Sequence, residues 1–336
     1  MNNNILITLD YELFFGSQVG TLQNCILKPT NRLVKILDTY SAKATFFVDS
    51  GYLVKLEELK SKFPLLEQEY QDITTQIRTL DKNGHSIQLH IHPHWEDSTF
   101  DGKKWIMNTK RYRLHEFSES EIDDIVFRYK KVLTDIVGDK IFAHRAGGWC
   151  MQPFDKLKNA FKKHNIWLDS TVFENGMNQS KTHYFDFRNS PKKPEWHFEN
   201  DPLVEEKNGF FKEYPISAYK LSPLFFWKLI FFKKFGSKEY ASFGDGTAAG
   251  GSKKDKLRML TRFTNSVVSM DGYKSSFLQK AYNSFQKNKD NHNFIIIGHP
   301  KAMSEYSLKK VEKFIKKNNS SNFITVGELK DELYNN

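Results

Sequence analysis

The stretch Gly84-His85-Ser86-Ile87-Gln88-Leu89-His90-Ile91-His92-Pro93-His94 decides how this 336-residue chain is read, because four of its eleven histidines fall within residues 85–94. Such density suggests a metal, and imidazole suits zinc, cobalt, nickel or iron. His90 and His94 are four apart, so their rings could converge on one ion from a turn that follows a strand. Pro93 lacks an N–H and disfavours helical geometry at His92, which places the cluster where a strand runs into a loop. The competing reading is a set of surface and core histidines that happen to be neighbours.

A hydrolytic metal site also wants a carboxylate and an open position for water. Asn4-Ile5-Leu6-Ile7-Thr8-Leu9-Asp10-Tyr11-Glu12 reads as a buried parallel strand that ends in two acids. Asp10 and Glu12 lie two apart and share a side if the chain is extended. Acids and imidazoles at the ends of neighbouring parallel strands would meet at the sheet's carboxyl edge, where sites of such folds lie.

Helix and strand patterns alternate along the rest of the chain. Helices are expected over 30–40 and 64–82, and a strand over 44–48. Ser118 followed by Glu121 has the form of a capping box, opening a helix that runs to Val137 and stops at Gly138. A strand over 141–143, a helix over 153–164 and a strand over 166–168 follow. The strand 294–297, a Lys-rich helix over 308–317, an apolar run at 323–326 and a helix from Glu328 close the chain. Alternation of this kind argues for a parallel α/β fold in a single domain over 1–336, with 187–273 read as an insertion that breaks the rhythm.

Several segments, in order, resemble the polysaccharide deacetylase family, also called carbohydrate esterase family 4. They are Thr8-Leu9-Asp10-Tyr11-Glu12, Lys43-Ala44-Thr45-Phe46-Phe47-Val48, the histidine stretch from Gly84, Arg145-Ala146-Gly147-Gly148-Trp149, Trp167-Leu168-Asp169-Ser170, and Ile295-Ile296-Ile297-Gly298-His299-Pro300. The resemblance implies a distorted (β/α)7 barrel and a hydrolase that removes acetyl groups, N-acetyl favoured, from a sugar. The family usually has two adjacent acids in its first motif, whereas Tyr11 fills the second place here. An acid-x-acid version in some members makes Asp10 the general base and Glu12 the metal ligand; the reverse assignment, or both acids binding, stays open. Ser170 stands where many relatives have tryptophan, so the wall of the acetyl pocket departs from the pattern.

The resemblance further implies a divalent cation, zinc first and cobalt, nickel or iron as alternatives, held by Glu12, His90 and His94. Asp10 would take a proton from water, Arg145 would hold Asp10, and Asp169 would pair with His299. His299, whose unperturbed pKa lies near about 6.5, would protonate the leaving group. His92 and His144 read either as partners that fix ring orientation or as structural residues. Without the family pattern, Arg145 could be a surface arginine, His299 a core histidine and Asp169 a turn residue.

Composition narrows the partners. The formal charge of +10 and pI of about 9.2 favour an anionic partner. No RNA- or DNA-binding motif accompanies the charge, so nucleic acid is not expected. Cys25 and Cys150 cannot build a disulfide framework. The start, Met1-Asn2-Asn3-Asn4-Ile5, lacks the basic and apolar regions of a secretory signal, so a cytoplasmic protein is expected. Ser222 to Phe235 is strongly aromatic but, at fourteen residues, falls short of the about 20 needed to span a bilayer. It reads either as a helix buried against the barrel or as one lying peripherally on the inner face of the membrane. The glycine-rich 243–252 lacks a P-loop lysine and reads as a flexible connector. The expected substrate is a nucleotide-linked or lipid-linked acetylated sugar used in bacterial surface polysaccharide synthesis. A carbohydrate-binding relative without turnover, or an amidase acting on a non-sugar C–N bond, are the alternatives.

Overall fold

The apolar run Asn4–Tyr11 is a strand buried along all but its first residue, because parallel neighbours cover both its edges and other layers cover both faces. In this computed structural model, which describes residues 3–180, 182–248, 253–288 and 290–334, it lies between strands Asn293–Gly298 and Ala44–Asp49. The short strand Asn322–Phe323 joins its start. Ser86–Ile91, Ala143–Ala146, Leu168–Asp169 and Phe211–Glu213 continue the parallel sheet in that order, and Trp196–Phe198 ends it antiparallel. Irregular backbone beyond Phe211–Glu213 is bonded to the far edge strand Asn293–Gly298. Ser217 N donates to Ile295 O at 3.0 Å, Val268 N to Ser217 O at 2.7 Å, and Ile297 N to Val268 O at 3.0 Å. With helices packed outside it, the sheet is the distorted (β/α)7 barrel that the motifs imply.

Local chemistry sets most element ends. Helix Glu119–Val137 starts at Ser118 with both reciprocal bonds of a capping box and stops at Gly138, whose φ is 84°. Helix Pro64–Lys82 coincides with its expected span. The strand expected over 141–143 lies at Ala143–Ala146, and the helix expected over 153–164 contracts to Lys158–Lys163. Helix Ser50–Leu59 carries no clean amphipathic stripe, because Ser50 to Val54 are all buried; at Gly51 a Cβ would meet Trp95 and Tyr129 at 2.7 Å. The apolar run at 323–326 is divided. Its strand ends at Phe323, and Thr325 caps helix Val326–Tyr334 through reciprocal bonds with Glu328.

The segment 187–273 divides too. Its strands Trp196–Phe198 and Phe211–Glu213 are hydrogen-bonded into the central sheet. The antiparallel pair Ala218–Leu221 and Thr264–Val267 stands outside the sheet and carries helices Pro223–Phe235 and Lys253–Thr261. In the glycine-rich connector, residues 243–248 are tied to the barrel by Phe243 N to Met303 O and Gly244 N to Lys301 O. Residues 249–252 of that stretch lie outside the described residues, as do the first two residues of the chain. No described helix is long and apolar enough to cross a membrane.

Candidate active site

Strand periodicity selects the side chains that meet at the carboxyl edge. On Asn4–Tyr11 and just beyond it, Thr8, Asp10 and Glu12 alternate onto one side. Arg145 stands three strands further on and is fully buried. Its Nη1 donates to Thr8 Oγ1 and Asp10 Oδ1, both at 2.9 Å. The rest of the guanidinium fork goes to Ser170, with Nε donating to its carbonyl at 2.6 Å and Nη2 to Oγ at 3.0 Å. The small Ser170 therefore does a second job in place of an aromatic wall: it fixes the arginine that holds Asp10.

The same two-residue period decides the histidines. His90 and His92 fall on one side of the strand, whereas Pro93 turns the chain into a short 3-10 segment that carries His94 away. Glu12, His90 and His92 are the one group of buried metal-ligand side chains among the described residues, with ligand atoms all within 4.8 Å of one another. The set expected from the four-residue spacing thus changes in one member: His92 joins Glu12 and His90, and His94 does not. Instead His94 stacks on Tyr112, ring centroids 5.2 Å apart, with both nitrogens unpartnered.

The donor set fits a cation. His90 Nδ1 lies 2.8 Å from the Arg145 carbonyl and donates to it, which turns Nε2 toward Glu12 Oε2 at 3.2 Å; burial opposes a charge on this ring, but Asp10 and Glu12 raise its pKa, and a bound cation would take the place of the proton on Nε2. His92 Nε2 lies 2.6 Å from that same oxygen without hydrogen-bond geometry, and neither His92 nitrogen has a partner. A carboxylate oxygen and two imidazole nitrogens gathered in this way suit a divalent cation. Burial drives the His92 pKa down to about 4 against the opposing charge of Glu12, so its ring is neutral and able to ligate. Burial alone would raise the Glu12 carboxyl, but Lys301 and then His92 hold it well below the usual carboxylate range. Lys301 Nζ takes Glu12 Oε1 at 3.0 Å, leaving Oε2 for the imidazoles.

His299 stands across from these groups, with Nε2 3.5 Å from Asp10 Oδ2. Its Nδ1 is held by Asp271 Oδ2 at 2.8 Å. Burial opposes protonation of this ring, yet Asp271, followed by Asp10 and Glu12, carries its pKa up to about 9. The partner expected for it, Asp169, lies elsewhere. Asp169 pairs with His144 at 2.8 Å, and Phe161 packs against that ring at 4.8 Å. The reason is alternation: His144 and Asp169 are register partners on one side of their strands, while Arg145 and Ser170 point to the other. Asp271 comes to His299 through a bridge between Ser269 and Ile297, two residues before each.

Asp10, Glu12, His92, Tyr112, Trp149 and His299 line one cavity of about 270 Å³. Gly147 is required here by contact, since a Cβ would meet the His92 ring and Ile91 O at 2.6 Å. Trp149 follows with φ of 59°, a strained value for a bulky residue, and its Nε1 is unpartnered. Sequence reasoning missed Lys301 and Asp271. Lys301 stood two residues beyond the recognised His299; Asp271 ended the apolar run Val267-Val268-Ser269-Met270, a signal of the same kind as the one at Asp10.

No family model matches the chain, and no curated protein matches it in sequence. Solved structures similar to it include Puue allantoinase, 12% identical over 97% of this chain and 88% of that one, at a TM-score of 0.50. They also include the polysaccharide deacetylase Bc1974 from Bacillus cereus, 11% identical over 96% and 91%, at 0.42. A family 4 carbohydrate esterase from Streptomyces lividans is 9% identical over 95% and 90%, at 0.39. At such identities the likeness to the allantoinase establishes the barrel fold. Together with the site, it defines a barrel protein that presents a metal-ligand cluster beside a carboxylate–imidazole pair.

Proposed function

We propose that the protein is a metal-dependent deacetylase that hydrolyses an acetyl group, N-acetyl in preference to O-acetyl, on a sugar destined for a bacterial surface polysaccharide. The observation that carries this reading is the cluster of Glu12, His90 and His92 beside one cavity that Asp10, Glu12, His92 and His299 line. The ordered motifs that resemble family 4 carbohydrate esterases supply the substrate class.

Glu12, His90 and His92 would hold the cation. A divalent ion there, zinc first, supplies Lewis acidity toward a carbonyl and lowers the pKa of water. Asp10 is committed to Arg145 through Oδ1 and keeps Oδ2 toward the cavity, where it accepts a proton from the attacking water. The water oxygen bonds to the acetyl carbon. His299, charged at neutral pH and steadied by Asp271, gives its proton to the departing nitrogen as the C–N bond breaks, so that acetate and an amine leave. Phe15, Tyr112 and Trp149 wall the cavity and restrict bulk water.

A second reading, hydrolysis of a non-sugar amide, is favoured by the likeness to Puue allantoinase. Acetate release from N-acetylated nucleotide sugars and lipid-linked sugars, run beside amide and ureide substrates on protein of known metal content, separates the two. Acetate release that Asp10→Asn abolishes while metal remains bound supports the first. Turnover of amides alone supports the second, and no turnover by the metal-loaded protein on any of them removes both.

A further inference from the structure

Helix Pro223–Phe235 has apolar residues on opposite faces. Phe225 and Phe226 are buried, with Leu229 packed beside them against Tyr273 and Phe277. The outward face, which ordinarily carries the polar residues of such a helix, presents Leu224, Trp227, Phe231 and Phe235 at helical spacing. Their exposures are 62, 55, 57 and 67%. Leu257 on the adjoining helix and Phe263 after it are 63 and 64% exposed. Large aromatics gathered outward like this mark an interaction surface.

Charge identifies what it meets. Between residues 218 and 263 there are ten Lys or Arg against three Asp or Glu, a surplus of seven in a chain whose total is ten. At 100° per residue, Lys228 and Lys234 fall on the two edges of the apolar stripe. Trp227 lies across the boundary, its Nε1 donating to Leu260 O at 3.1 Å while much of its ring is exposed. Two copies of this face brought together by a twofold axis would set basic rims against one another. An anionic bilayer offers hydrocarbon to the stripe and phosphate to the lysines.

We propose that this face docks the protein peripherally on anionic phospholipid. The docked helix is tied to the catalytic cavity, because the chain leaving it runs through Gly244, bonded to Lys301, to Ala248 in the cavity wall. Membrane contact is read without turnover, so its failure and that of the hydrolase reading are separate results.

The test is flotation of the full chain with phosphatidylcholine vesicles containing a rising share of phosphatidylglycerol, at low and high salt. Binding should rise with the anionic share and weaken with salt. Phe231→Ser/Phe235→Ser and Lys228→Glu/Lys234→Glu should each lower affinity by on the order of tenfold or more, with the circular dichroism spectrum and melting curve unchanged. Wild-type protein that stays with the unbound fraction at every composition overturns the proposal, as do folded variants that bind as wild type does. A dimer in ultracentrifugation that the phenylalanine pair converts to monomer, without vesicle binding, assigns the face to a second copy and equally overturns it.

Discussion

Asp10 has one oxygen bound by Arg145 and the other turned toward His299, and this division of a single carboxylate makes the site asymmetric. The ligand set follows from equally small facts. His90→Ala and His92→Ala should each lose most bound metal by elemental analysis, whereas His94→Ala should keep it, because the His94 nitrogens lie outside the cluster formed by Glu12, His90 and His92. Metal retained in both of the first two variants would show that the cluster does not hold it. Asp271→Asn gives a signed pH effect. The charge of Asp271 raises His299 to about 9, and its removal should let the pKa fall toward the ordinary value of about 6.5. The acid form then disappears at lower pH, so the alkaline limb of the kcat/KM profile should move acidward by at least about one unit. An unmoved limb would dissociate Asp271 from the acid.

Turns and strand ends deliver these residues, and their substitutions should be felt as stability or as displaced ligands. Ser118 accepts from Glu121 N and receives the Glu121 carboxylate in return, so Ser118→Ala should cost about 1 kcal/mol in urea unfolding with activity kept. Gly147→Ala would force a methyl into the His92 ring and the backbone beneath it. It should lower metal affinity as well as stability, the latter by about 1–3 kcal/mol. Normal metal affinity in a folded Gly147→Ala protein would mean that the His92 ring can yield without consequence. At this scale the capping box was legible in residues three apart, and so was the helix Pro64–Lys82. Helix Ser50–Leu59 was not, since a helix buried on most sides shows no polar face by which to recognise it.

Across the whole molecule, the site joins chain segments from Asp10 to Lys301, so ligand binding should be reported by global unfolding. Zinc at about a hundredfold excess over its dissociation constant should stabilise the fold by about 2.7 kcal/mol. Chelator should reverse the effect, and Glu12→Gln should lack it; a melting temperature indifferent to zinc in the wild type would speak against a specific site. The aromatic segment shows the same dependence on context. Its composition allowed burial against the barrel or exposure to a membrane, and only the packing of Phe225 and Phe226 against Tyr273 and Phe277 leaves the other face outward.

The amino-acid order by itself determined the parallel α/β architecture and the two acids that end the first strand, whereas the pairing of Arg145 with Asp10 was implied only by the resemblance of its motifs to a known family. The first two depend on hydrophobic periodicity and on motifs whose members lie within one strand and turn. Tertiary structure alone decided which histidine joins Glu12 and His90, that Asp271 and not Asp169 supports His299, and that Lys301 takes one oxygen of Glu12. The physical reason is register. A strand exposes alternate residues to opposite sides, and which side meets which neighbour is settled only when strands far apart in sequence align and the barrel closes around them.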